Sequence, residues 1–294
     1  MTAAGQANGV SWRVAGAMRT DVGRVRSLNE DTVAFVAPTE RDPEAKRGLL
    51  ALVADGMGGH AAGEVASALA AEVVRRVYFS LDRPPREALL AAFEAANRAI
   101  LDYAAKHPDC AGMGTTCTAI AVRDECLWLA HVGDSRAYIL RDGELIQLSQ
   151  DQTLHAQLVR DGVLTAEEAE KSPGGNVILQ ALGTRQEISP ELWSEGMRLR
   201  LGDRLILCSD GLSNLASDAD IARIVSRLPP GAACAALIDA ALAAGGYDNI
   251  SVGVFVVERA APTESNGQAA TQRINIVDPP AGAPTLKIEA IAEG

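Results

Sequence analysis

The chain has 294 residues, 48% hydrophobic but only 4% aromatic, with a formal net charge of −11 and a sequence pI near 4.9. That length fits one large domain or two small ones, packed by Ala, Val, Leu and Ile. The acidity argues against a nucleic-acid surface, which needs a basic stripe, and against adhesion to anionic lipid. Five cysteines, Cys110, Cys117, Cys126, Cys208 and Cys234, form no CxxC pair and are odd in number. Reduced thiols fit this pattern better than a disulfide framework. The first residues lack a charged start followed by an apolar stretch, and no run of 18 apolar residues occurs, so a cytoplasmic chain with no membrane span is expected.

In chain order, residues 1–9 read as a flexible N-terminus and 10–258 as one domain. Alternating segments at 12–18, 116–122, 127–131, 137–140 and 145–148 read as strands, with Asp142-Gly143 as an ordinary hairpin turn. Long helices are expected at 62–79 and 85–106, the second burying Leu89, Leu90, Phe93, Ala96, Ile100 and Tyr103. Shorter ones follow at 153–161, 165–171, 218–227 and 232–243, and Thr165 with Glu168 forms a capping-box signal. Residues 250–257 make the last strand. Strands, then helices, then strands suggest an α+β layered fold. From 259 to 294 the composition shifts to Ala, Pro, Gly, Thr and Gln, read as a flexible tail with apolar patches at 274–277 and 286–288.

Two apolar runs end in an Asp-Gly pair: Leu49 to Asp55-Gly56, and Arg204 to Asp210-Gly211. Each carboxylate is expected where a buried strand ends. Asp-Gly is also common in plain turns, but Asn29-Glu30-Asp31 and Tyr247-Asp248-Asn249 add two more acidic clusters. At about 5 Å and an effective dielectric near 20, each close carboxylate pair repels by roughly 3 kcal/mol. A divalent cation relieves that, and hard oxygen donors favour magnesium or manganese.

The segment Thr20 to Asp31 resembles the opening signature of the metal-dependent serine/threonine protein phosphatases of type 2C, and Val53 to His60 resembles their second block in its bacterial form. Gly112-Met113-Gly114-Thr115-Thr116, Val132-Gly133-Asp134-Ser135-Arg136, Ser209-Asp210-Gly211 and Asp248 to Val252 complete the series in order. The resemblance spans roughly residues 10–258. It implies a four-layer αββα sandwich of two mainly antiparallel sheets flanked by helices. By the same resemblance Asp55 bridges two manganese or magnesium ions, one of them also held by the Gly56 carbonyl, while Asp210 and Asp248 complete the other. Glu30 and Asp31 act mostly through waters, Asp134 helps hold a weaker third ion, and Arg26 grips substrate phosphate. Two metals about 3.5–4 Å apart activate a bridging water, so no cysteine or serine nucleophile is needed.

Met57 stands where eukaryotic relatives place a histidine, and His60 is expected to be a packing residue near the glycine turn. His131 is expected to be a satisfied core histidine. Between Asp151 and Gly183 the chain has Ser172-Pro173-Gly174-Gly175-Asn176 and Gln180-Ala181-Leu182-Gly183, lacking two arginines that bacterial relatives often carry. The resemblance implies a monomeric hydrolase of phosphoserine and phosphothreonine in proteins, opposing a serine/threonine kinase. Alternatives are a partner-switching phosphatase acting on a phosphorylated anti-sigma-factor antagonist, and a non-catalytic pseudo-phosphatase scaffold. An EF-hand calcium module is disfavoured, because its ligands would sit within one 12-residue loop.

Overall fold

The computed structural model describes residues 5–7, 10–39, 42–58, 62–172, 174 and 177–260. His60, Pro173, Gly175, Asn176 and residues 261–294 with both apolar patches lie outside the described residues, as do 1–4 and 8–9 of the N-terminal segment.

One sheet has the order β1 (Gly5–Ala7), β2 (Val10–Asp21), β13 (Ile250–Arg259), β12 (Arg204–Cys208), β8 (Arg136–Arg141) and β9 (Glu144–Gln147). The other runs β10 (Glu191–Leu192), β7 (Cys126–Val132), β6 (Cys117–Arg123), β4 (Leu49–Met57) and β3 (Asp31–Val36). In that second sheet β11 (Met197–Arg198) pairs with β7, and β5 (Gly114–Thr115) with β4. These pairings are all antiparallel. The helices are α1 (Ala62–Ser80), α2 (Pro85–Lys106), α3 (Leu154–Arg160), α4 (Ala166–Lys171), α5 (Asp210–Ser213), α6 (Asp218–Arg227) and α7 (Pro230–Ala243).

Strand periodicity explains the layering. Along β4, Leu50, Leu52 and Ala54 join a core with α1 and α2, while Leu49, Ala51 and Val53 face the other sheet. Successive side chains point to opposite faces, so a strand buried on both sides must be apolar at every position. β12 repeats the pattern: Leu205 and Leu207 face the first sheet's partner, and Ile206 and Cys208 pack under α6 and α7. Three cores between four layers give the expected αββα sandwich. Each fully buried Leu or Val contributes about 1.5–3 kcal/mol relative to exposure, which favours this register over a one-residue slip.

Local signals fixed most helix starts. Thr165 and Glu168 form the expected capping box on α4, and Ser217 accepts from the Asp220 N–H to cap α6. Among the details that differ, three have a clear cause. β4 continues two residues beyond Asp55, through Met57, because Gly56 and Met57 pair with β5. Leu90 and Tyr103 are only partly buried, since they lie at the margin of the α2 stripe. α7 begins at Pro230 rather than 232, proline being well suited to a first helical turn. All five cysteines are free thiols, and among the described residues no helix is long and apolar enough to cross a membrane.

Candidate active site

Antiparallel register brings the acidic residues to one rim of the sandwich. Asp31, first in β3, lies directly opposite Asp55 in β4. Cys208 pairs with Val252 and with Arg136, so Asp210, Asp248 and the 133–135 turn gather just beyond those strand ends. Cys117 opposite Val132 brings the same turn beside β6. Asp134 therefore joins Asp31, Asp55, Asp210 and Asp248 although the five span most of the domain's sequence.

Burial dominates their electrostatics. Asp31 is pushed up to about 7, first by burial and then by Asp210 and Asp248, against the lowering effect of hydrogen bonds from Ser251 and Ser209. Asp134 is likewise pushed up to about 7 by burial and by Asp210. Asp55 lies well above the usual carboxylate range because it is buried and faces Asp31, Asp210 and Asp134. Asp210 is raised by burial and Asp248, partly offset by a hydrogen bond shared with Asp55. Glu30 is raised by burial and lowered less by Arg26. The rim is a basin where negative charge is costly.

Polar side chains fix this basin. The Asp55 N–H donates to Thr116 Oγ1 at 2.9 Å, and Thr115 Oγ1 donates to the Asp55 carbonyl at 2.9 Å. Thr116 Oγ1 and Ser135 Oγ lie 2.8 Å apart, linking the Asp55 strand to the Asp134 turn. Ser209 Oγ donates to Asp31 Oδ2 at 2.7 Å and accepts from the Ser251 N–H at 2.9 Å, joining the two sheets. Asn249 is buried; its amide donates to the Val22 and Leu28 carbonyls at 2.9 Å each, and its Oδ1 accepts the Glu30 N–H at 2.8 Å. These supporting roles were not read from the sequence. The signal available was adjacency, since Thr115, Thr116, Ser135, Ser209 and Asn249 all lie inside the blocks that carry the acids.

Gly56 allows a close approach. A Cβ there would meet the Gly63 carbonyl oxygen at 2.1 Å and the Glu30 carbonyl oxygen at 2.6 Å, so β4, the first turn of α1 and the Glu30 segment touch through bare backbone. The Gly63 N–H hydrogen-bonds to Glu30, giving that carboxylate a fixed place at the helix start. Arg26, on the loop before β3, donates to Asp248 Oδ2 at 2.7 Å, and this bond raises its own pKa.

Arg136 turns from Asp134 toward Asp151, with contacts of 2.6–3.0 Å. His131 is fully buried, with Nδ1 2.9 Å from Thr118 Oγ1 and Nε2 3.1 Å from the Gln150 carbonyl, so it is the satisfied core histidine expected. Gln180, where an arginine is often found, accepts the Ser189 N–H.

The donor set is all hard oxygen. Asp31 Oδ1 and Asp134 Oδ1 are buried and accept no hydrogen bond, which is costly for a carboxylate oxygen without a cation or proton. Among the described residues no three acidic, histidine or cysteine side chains close into one tight ligand sphere, and Arg26 already holds one oxygen of Asp248. The chemistry of the donors and the two orphaned oxygens fit hard divalent ions, with the aspartates arrayed around a basin rather than converged on one point.

The protein phosphatase 2C family matches residues 24–238. The chain is 44% identical over 239 residues to the serine/threonine protein phosphatase PstP of Mycobacterium tuberculosis, covering 80% of this chain but only 43% of that relative's length. It is 34% identical over 252 residues to the serine/threonine phosphatase stp of Listeria innocua, covering 82% of this chain and 94% of that one. The Mycobacterium tuberculosis PstP/Ppp crystal structure aligns with a TM-score of 0.74 and 41% identity, covering 84% of this chain and 99% of that one. A PstP catalytic-domain structure in complex with two manganese ions aligns at a TM-score of 0.71 and 41% identity, covering 83% and 98%. With the αββα layers, the acidic rim and these matches together, the chain belongs to the protein phosphatase 2C family.

Proposed function

We propose that the chain is a metal-dependent protein phosphatase that hydrolyses phosphoserine and phosphothreonine in protein substrates, and that residues 10–258 form its catalytic domain. The observation that carries this reading is the cluster of aspartates at one rim, two of them, Asp31 and Asp134, buried with Oδ1 unpaired. Asp55, the Gly56 carbonyl, Asp210 and Asp248 would hold two manganese or magnesium ions. Glu30 and Asp31 would act from further out, and Asp134 would serve a weaker third ion. When bound, such a pair of ions lowers the pKa of a water and stabilises charge on the phosphoryl oxygens.

The protein's own groups orient the rest. Arg26 would release Asp248 and grip phosphate oxygens, a planar guanidinium being suited to two at once. Thr115 and Thr116 hold the Asp55 backbone from both sides, fixing its carboxylate direction. Among the described residues no buried imidazole is placed to act directly, since Met57 ends β4 and His131 faces Thr118 and Gln150.

The manganese complex of PstP and the phosphatase names of the Listeria and Mycobacterium relatives support this reading by similarity. Substrates would be phosphorylated proteins, among them a serine/threonine kinase or its targets, met by a monomer in the cytoplasm. The retained aspartates favour catalysis over a scaffold role. Hydrolysis of p-nitrophenyl phosphate and of a phosphothreonine peptide, each with manganese and with EDTA, tests the proposal. Manganese-dependent release of phosphate from both is expected, and its absence would overturn the reading.

A further inference from the structure

Val25 and Tyr247 are among the most exposed large apolar side chains of the described residues, at 67% and 64% exposure. The two segments that carry them are fastened together by two ties. The Arg24 N–H donates to the Gly246 carbonyl at 2.8 Å, and two residues along each segment Arg26 donates to Asp248 at 2.7 Å. Val22 and Leu28, on the same loop as Val25, are also exposed. Isolated exposed apolar residues need no explanation. Four on two fastened loops, flanking the exposed Arg24 and Arg26, form a patch.

The patch is built on a rigid base. Asn249 ties down both ends of the loop through the Val22 and Leu28 carbonyls. Gly23, at φ +78°, lies so close to the second segment that a Cβ would meet the Asp248 carbonyl oxygen at 2.2 Å. A surface already ordered loses little entropy when something covers it.

We infer that Val25 and Tyr247, with Leu28, form a subsite for an apolar side chain of the phosphopeptide, close to its phosphorylated residue. The inference rests on the reading of Arg26 as the phosphate grip. A dianionic phosphate held by Arg26 fixes where the peptide lies, and an extended peptide advances only about 3.3–3.6 Å per residue. Residues next to the phosphorylated one then fall within reach of Val25 on one segment and Tyr247 on the other. The charge complement selects a phosphorylated chain as occupant, and the apolar walls select a Leu, Ile, Val or Phe beside the phosphate. Tyr247 suits this role, offering a large apolar ring with few torsions to restrain.

The test measures kcat/KM with manganese for phosphothreonine peptides in a polar background. Each peptide carries Leu, Phe or Ser at one of three positions on either side of the phosphothreonine. The wild type should favour Leu or Phe over Ser at one position or more by roughly 10-fold, the scale expected for covering part of one side chain. Val25→Ser combined with Tyr247→Ser should shrink that ratio below about 3-fold, while Tyr247→Phe, which keeps the ring, should retain it. A wild type that treats every peptide alike would overturn the subsite alone. A double variant that loses activity equally on Leu and Ser peptides would do the same, showing only a structural role. Failure of the wild type to hydrolyse any of the peptides would overturn the phosphatase reading itself.

Discussion

Arg26 and Asp248 are paired at 2.7 Å with both side chains partly exposed, at 48% and 37%. An ion pair so open to water contributes about 0–1 kcal/mol to stability. Arg26 can therefore leave Asp248 for a phosphate at little cost to the fold.

Arg26→Ala should chiefly weaken substrate engagement. A charge-assisted contact to phosphate is worth about 1.5–3 kcal/mol, or roughly 10- to 150-fold in kcat/KM for a phosphopeptide. The thermal midpoint should move by no more than about 4 °C, given the low worth of the ion pair. Steady-state kinetics with a melting curve separate the two effects. An unchanged kcat/KM would return Arg26 to the ordinary surface.

Asp55→Asn and Asp210→Asn should each lower turnover at saturating manganese by at least 100-fold, removing a donor that neither Asn can replace as an anion. The metal-free fold should not suffer. Asp31 and Asp134 reach about 7 when folded, whereas an unfolded aspartate titrates near 3.9. Between roughly pH 4 and 7 the folded state then holds protons that the unfolded chain has lost, so stability without metal falls as pH rises through that window. Removing one carboxylate relieves the repulsion. The melting midpoint in EDTA at pH 7 should stay equal or rise, and manganese should raise it more in the wild type than in either variant. Turnover within tenfold of wild type would remove these aspartates from the proposed chemistry.

The layered fold and its acidic rim were legible because each depends on local pattern. Runs apolar at every position, such as Leu49 to Ala54, announce strands buried on both faces, and the end of such a run marks where Asp55 and Asp210 emerge. Much less of the support was legible. That Ser209 reaches Asp31, or that Asn249 spans Val22, Leu28 and Glu30, depends on contacts between residues some 180 to 230 positions apart. No periodicity encodes such contacts. The Arg26–Asp248 pair was hidden for the same reason, and two-residue strands such as β10 and β11 are too short to leave a pattern.

Asn249→Ala should reveal that hidden support. It deletes three hydrogen bonds and leaves two carbonyls and one N–H short of partners at a buried position. At about 1 kcal/mol per bond the fold should lose roughly 2–4 kcal/mol. The loop carrying Arg26 should also loosen, raising KM for phosphopeptides more than it lowers kcat with p-nitrophenyl phosphate. Denaturant unfolding and both kinetic assays read this out. A stability loss with KM unmoved would make Asn249 a core residue and no more.

His131 provides a pH dependence of opposite sign. Burial pushes it down to about 4, against smaller raising effects from Asp151 and the Gln150 carbonyl. The carbonyl can only accept, so Nε2 carries the proton in the neutral ring, and Nδ1 lies bare beside Thr118 Oγ1, whose own proton goes to the Ser135 carbonyl. Unfolded, histidine titrates near 6.5. Between about pH 6.5 and 4 the unfolded chain therefore binds a proton that the folded one excludes. The stability gained from keeping His131 neutral is present above that range and lost as pH falls through it. From pH 7 to pH 5 the loss should be about 2 kcal/mol. The buried carboxylates act in the opposite direction, so the comparison must cancel them. Denaturant unfolding of wild type and His131→Asn, both in EDTA at pH 7 and pH 5, does this, since only the histidine differs. The variant should start less stable at pH 7, having lost packing, yet the gap should narrow by about 2 kcal/mol at pH 5. A gap that stays constant would mean that His131 takes up its proton as readily in the folded protein as in the unfolded chain, with Asp151 compensating its burial.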